Sequence, residues 1–155
     1  MTAVTLEQIQ GEHDRIGALI EKFKTQSIPT EYRVDAATIP LAAGERLAGP
    51  IFKEDGSLDY YLIKLPGEGT DLEWDAAQEY AASRGALLPT LRELALMRTN
   101  LRDAFVSEAY RSGEQYEGNS AYAWYQYFLY GYQGNGHKSA ALRAVAVRRF
   151  VPSVI

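Results

Sequence analysis

The chain contains no cysteine, which removes disulfides, thiolate nucleophiles, Cys-ligated zinc and iron–sulfur clusters together. Histidine occurs only at His13 and His137; the two stand far apart in sequence, and a lone loop histidine is ordinarily solvated. No apolar run approaches the roughly 20 residues that span a bilayer. The first 30 residues lack a basic stretch followed by an apolar one, so no Sec-type signal peptide is visible. Ser112 is not flanked by the Gly-x-Ser-x-Gly of a nucleophile elbow. The glycines of Gly131-Tyr132-Gln133-Gly134-Asn135-Gly136 do not open a helix after a Rossmann strand, which excludes that mode of nucleotide binding. Acidic side chains also run out: Glu117 is the last one.

What is present is an ordinary globular composition, 46% apolar and 23% charged over 155 residues, about one domain's worth. The net charge is −4, yet everything after Glu117 carries only Lys138, Arg143, Arg148 and Arg149. That asymmetry points either to an anionic polymer as partner or, more simply, to basic and acidic parts that meet in the folded domain. Four cations over so long a segment are sparse for a nucleic-acid patch, and strand alternation keeps them off one face, so nucleic acid is disfavoured.

Residues 5 to about 24 read as a helix, with Thr5 as N-cap and Gln8 completing a capping box. Leu6, Ile9, His13, Ile16, Ile20 and Phe23 follow a 3-4-3-4-3 spacing, an a/d seam that suits self-association, docking on another protein, or an amphipathic helix lying on its own domain. Gly11 and Gly17 weaken the helix by about 1 kcal/mol each relative to Ala. His13 stands at an a position as a register-setting polar residue rather than a ligand. Residues 27–50, with Pro29, Pro40, Gly44, Gly49 and Pro50, read as an extended connector. Residues 51–53 and 60–65 flank Glu54-Asp55-Gly56-Ser57 as a hairpin. A helix is expected over 72–83 with Asp71 as N-cap and Gly85 at its end, and another over 91–100, capped by Thr90 with Glu93. Residues 121–132 form an almost continuous aromatic strand, Gln133–His137 a glycine-rich tip, and residues 142–151 a returning strand.

Leu88-Pro89-Thr90 with Glu93-Leu94 is similar to the Leu-Pro-Thr…Glu-Leu element of a bacterial and phage domain family, that of the C-terminal domain of collagen-like adhesins. Tyr110-Arg111-Ser112-Gly113-Glu114, Ala123-Trp124-Tyr125, Phe128 with Gly131, Lys138-Ser139 and Val145-Ala146-Val147-Arg148 match further elements in the same order, over roughly residues 58–150. The resemblance implies an α+β fold of C-type-lectin-like type, related to formylglycine-generating enzymes: two helices flanking a small twisted antiparallel sheet, with Trp124 packed between helices and sheet. With the helix and connector read above, the chain divides into an N-terminal helix over 1–26, a connector over 27–50 and the lectin-like domain over 51–155. Arg111 departs from the family's tryptophan. The copper cysteines of the sulfatase-activating enzymes are missing, as are the Glu-Pro-Asn, Gln-Pro-Asp and Trp-Asn-Asp motifs of calcium lectins. No enzyme activity, cofactor or metal is expected.

The same segment resembles the variable region of retroelement-diversified phage receptor-binding proteins. Tyr125, Tyr127, Tyr130 and Tyr132, with Gln133, Asn135, His137 and Lys138, combine rigid rings with adaptable hydrogen-bonding groups, the chemistry of paratopes. The expected function is a non-enzymatic phage or prophage recognition module for a protein or glycan, homo-oligomeric through its N-terminal helix, in a virion or the host cytoplasm. A structural or assembly component of a phage particle is the first alternative, and a binder of glycosaminoglycan or nucleic acid the second.

Overall fold

A computed structural model describes residues 3–26 and 31–152. Residues 27–30 of the expected connector and the last three of the expected domain lie outside the described residues. The chain divides into two units, Met1–Ala36 and Ala37–Ile155.

The first unit contains one helix, α1 (Leu6–Thr25). Thr5 Oγ1 accepts from the Gln8 amide at 3.2 Å and Gln8 Oε1 accepts from the Thr5 amide at 3.0 Å, the reciprocal cap expected from the spacing. Glu12–Arg15 and Glu21–Lys24 pair one turn apart along the helix. The apolar stripe Leu6, Ile9, Ile16, Ile20 and Phe23 is exposed throughout, and no residue of α1 is buried.

The second unit runs β1 (Arg46–Phe52), β2 (Leu58–Lys64), β3 (Gly69–Leu72), α2 (Trp74–Ala82), α3 (Leu91–Asn100), a 3₁₀ turn (Arg102–Ala104), β4 (Ala109–Gln115), β5 (Tyr122–Tyr127), β6 (Gln133–His137), β7 (Leu142–Ala144) and β8 (Val147–Phe150). With α1, the described residues form an α+β structure of three helices and two sheets. One sheet has the order β1-β2-β8, the other β3-β7-β4-β5-β6. All pairings are antiparallel except β4 with β7. The single antiparallel sheet expected from sequence is therefore two sheets with one parallel contact.

Turn chemistry makes the first hairpin. Asp55 Oδ1 accepts from the Ser57 amide and hydroxyl, and Gly56 takes φ +85, where a side chain would be strained. Strand β1 begins inside the expected connector. Helix α3 keeps its capping box, Thr90 Oγ1 accepting from the Glu93 amide and Glu93 Oε1 from the Thr90 amide. Helix α2 starts later than expected. Asp71 is not its N-cap, because pairing of Gly69 and Leu72 with β7 draws that segment into a sheet and leaves Glu73 at the cap.

Residues 142–151 do not form one strand. Ala144–Val147 is buried at every position, and strand alternation sends its side chains to different cores. Val145 and Val147 join Leu62, Leu94, Met97, Tyr110 and Phe128 between α3 and the sheets. Ala144 and Ala146 join Ala77 and Ala81 of α2 with Leu88. The chain thus leaves one sheet as β7 and enters the other as β8. Trp74, not Trp124, bridges a helix to the sheet, its indole Nε1 donating to the Ser112 carbonyl at 2.9 Å. Trp124 is half-buried, edge-on to Tyr116 and donating to Glu117.

Candidate functional site

Strands β5 and β6 pair in the register Tyr122↔His137, Ala123↔Gly136, Trp124↔Asn135, Tyr125↔Gly134 and Gln126↔Gln133. The glycine-rich segment expected as a tip is strand β6. Its glycines leave room for a ring: a Cβ on Gly134 would stand 3.0 Å from the Tyr125 hydroxyl oxygen, and one on Gly136 3.4 Å from the same ring. The true tip is Phe128–Tyr132, closed by Gly131 at φ +84, whose amide donates to the Tyr127 carbonyl at 2.8 Å. Two cations hold that tip down. Arg98 donates from Nε to the Phe128 carbonyl at 3.0 Å and from Nη2 to that of Leu129, which also accepts from Arg102. Beneath, the buried Phe128 ring stacks on Phe105 at 4.2 Å and meets Tyr110 edge-on.

On this anchored hairpin the tyrosines gather. Tyr127 lies 6.0 Å from Tyr130 and 5.4 Å from Tyr132, and Tyr125 lies 6.5 Å from Tyr132, all between ring centroids. Tyr130 is 75% exposed and Tyr132 52%, while Tyr125 and Tyr127 are half-buried behind them. Burial, then the neighbouring Tyr132, pushes the Tyr125 hydroxyl pKa up and keeps it neutral as a donor.

The other four expected site residues are not part of this cluster. Gln133 Nε2 donates to Gln126 Oε1 and to the Leu91 carbonyl, which ties it to α3. Asn135 and His137 are exposed, registered against Trp124 and Tyr122 rather than against the tyrosines of the cluster. His137 Nδ1 sits 2.6 Å from the Ser139 hydroxyl. Lys138 donates to Gln115 Oε1 and lies 4.4 Å over the Trp74 ring. Period-two alternation separates residues that a continuous aromatic run had merged.

Beside Tyr127 the surface is concave. Ala109 is the cross-strand partner of Tyr127, and a groove of about 560 Å³ opens between these two residues, Thr70 and Asp71 of β3, Glu108, and Arg143 of β7. Arg143 Nε donates to Glu108, and its Nη1 to Glu68, which also accepts from the Tyr110 hydroxyl. The flanking carboxylates push the Arg143 pKa up, Glu108 first. Asp71 holds φ +53, and its side chain makes no hydrogen bond or ion pair among the described residues. Tertiary topology assembles this groove from four strands and their flanks, so no local motif could have announced Asp71, Glu108 and Thr70.

The C-terminal cations are spent internally: Arg148 pairs with Glu45, Arg149 with Glu93, and Arg143 with Glu68 and Glu108. Arg111 is fully buried; its Nη2 donates to the carbonyls of His137, Lys138 and Ala140, while Nε and Nη1 have no hydrogen-bond partner among the described residues. Among the described residues no three metal-binding side chains gather as a metal site, and no helix is long and apolar enough to cross a membrane. No protein-family model matches the chain, and no curated protein matches it.

Proposed function

We propose that this chain is a non-enzymatic recognition module of phage or prophage origin, built on a C-type-lectin-like domain and binding a protein or glycan through Tyr127, Tyr130 and Tyr132, with Tyr125 behind them. The observation that carries the reading is two exposed rings on a hairpin tip held by Arg98, Arg102 and a buried Phe128. Rigid amphipathic rings supply contact area at low entropy cost, and a pinned tip avoids the ordering cost of a mobile loop.

The exposed stripe of α1 supports multivalent presentation, in which self-association raises avidity by two or more orders of magnitude. It equally suits a second reading, an assembly component that docks α1 on another particle protein. The internal ion pairs of Arg143, Arg148 and Arg149 take up the charge on which an anionic-polymer reading depends.

The test is the double variant Tyr130→Ala/Tyr132→Ala, assayed on a glycan array and on bacterial cell surfaces. The binding shown by the wild-type chain should be lost in the variant, with stability lowered by no more than about 1.5 kcal/mol, the scale of exposed aromatic pairs. Retained binding refutes the platform, and a large fall in melting temperature shows the two rings to be structural.

A further inference from the structure

From the groove beside Tyr127 we infer a pocket for a cationic side chain, the ammonium of a lysine or the guanidinium of an arginine, projected by a protein partner. The inference rests on the recognition reading above and narrows its ligand to a basic protein surface.

Three observations combine. First, the site is concave, with about 560 Å³ of space beside Tyr127, within the range of sites that accept a ligand group. Second, its charges do not balance. The lining supplies two carboxylates, Asp71 and Glu108, against one guanidinium, Arg143, and that guanidinium is already drawn on by Glu68 as well as Glu108. The Asp71 side chain is exposed and has no partner among the described residues. An anion entering here meets uncompensated negative charge; a cation completes the set. Third, Tyr127 lines the groove, and its ring neighbours those of Tyr130 and Tyr132, 6.0 and 5.4 Å away between centroids. A ring face attracts a cation, and the outer rings cover the apolar stem of a long basic side chain. A divalent ion is less well served, because two carboxylates flanking a guanidinium do not make an oxygen cage.

Amide chemical shifts of the full chain provide the test, titrated with N-acetyl-lysine amide, N-acetyl-arginine amide and, as the uncharged control, N-acetyl-norleucine amide. The cationic probes should give saturable shifts confined to residues 70–71, 108–109, 127 and 142–143, and the norleucine probe none. Asp71→Asn keeps the side-chain shape and tolerates positive φ, so its spectrum should remain that of the folded chain. Its affinity for the cationic probes should fall about three- to fivefold, the scale of a part-exposed ion pair. Absence of saturable shifts with either cation, equal shifts with norleucine, or unchanged affinity in Asp71→Asn each overturns the inference. These probes engage the groove without the partner. A blank titration therefore removes the cation pocket alone, whereas retained binding by the Tyr130/Tyr132 double variant removes the platform.

Discussion

Glu93 ties α3, β2 and β8 together. It is fully buried, caps α3 through the Thr90 amide, receives the Tyr60 hydroxyl at 2.6 Å, and takes a two-pronged pair from Arg149 at 2.8 and 3.0 Å. Burial alone pushes a carboxyl pKa up, but these donors outweigh it and hold Glu93 below its ordinary value of 4.5. The same proximity, with burial first, pushes the Tyr60 phenol up to about 12. Glu93→Gln keeps the shape and strands Arg149, so unfolding free energy should fall by about 3 kcal/mol in a urea titration. Because the folded carboxyl is more acidic than the unfolded one, its contribution is present above about pH 4.5 and drains away as pH falls through the lowered value. The variant's stability should therefore depend less on pH in that acidic window than the wild type's. The cap was legible, since Glu93 stands three residues after Thr90. Its partner was not, because Arg149 lies 56 residues further on and only the pairing of β8 beside β2 brings it there.

At the scale of elements, periodicity disclosed the helices and capping fixed their ends. α1 and α3 begin where Thr5 and Thr90 say they should. The hairpin around Asp55-Gly56 followed from turn chemistry alone. What misled was composition read without pairing: glycine is depleted in strands on average, yet Gly134 and Gly136 sit in β6 because Tyr125 occupies the space their side chains would fill. Asp71 misled similarly, a capping residue type placed by the sheet instead of the helix. Of the eight side chains expected at the site, four tyrosines cluster; alternation puts Gln133, Asn135 and His137 on the opposite face of β6 from Gly134 and Gly136, and Lys138 lies past the strand, over Trp74. The seam of α1 makes its own prediction. A polar residue at an a position specifies register at a cost in stability, so His13→Ile should strengthen self-association. In light scattering across a dilution series, the variant should hold its oligomeric mass to lower concentration than wild type; monomeric mass in both would sink the oligomerisation reading.

Across the whole molecule, the uneven charge of the sequence resolves into internal pairing, with late arginines meeting early glutamates 103, 75 and 56 residues away. The handover of Ala144–Val147 from one sheet to the other has a further consequence. The Leu65 amide donates to the Ala146 carbonyl at 2.9 Å, and Leu87 and Val147 exchange amide bonds across the same segment. Separating the two sheets would break these bonds, so the two are expected to open together rather than one after the other. Native-state hydrogen exchange should show the Leu65, Leu87 and Val147 amides protected to the same free energy, that of global unfolding. Values separated by more than about 1 kcal/mol would mean that one sheet opens before the other. On the proposed reading, a ligand on the tyrosine tip would meet a base that yields as a single piece, and its binding energy would be retained in the contact instead of being dissipated in loosening the scaffold.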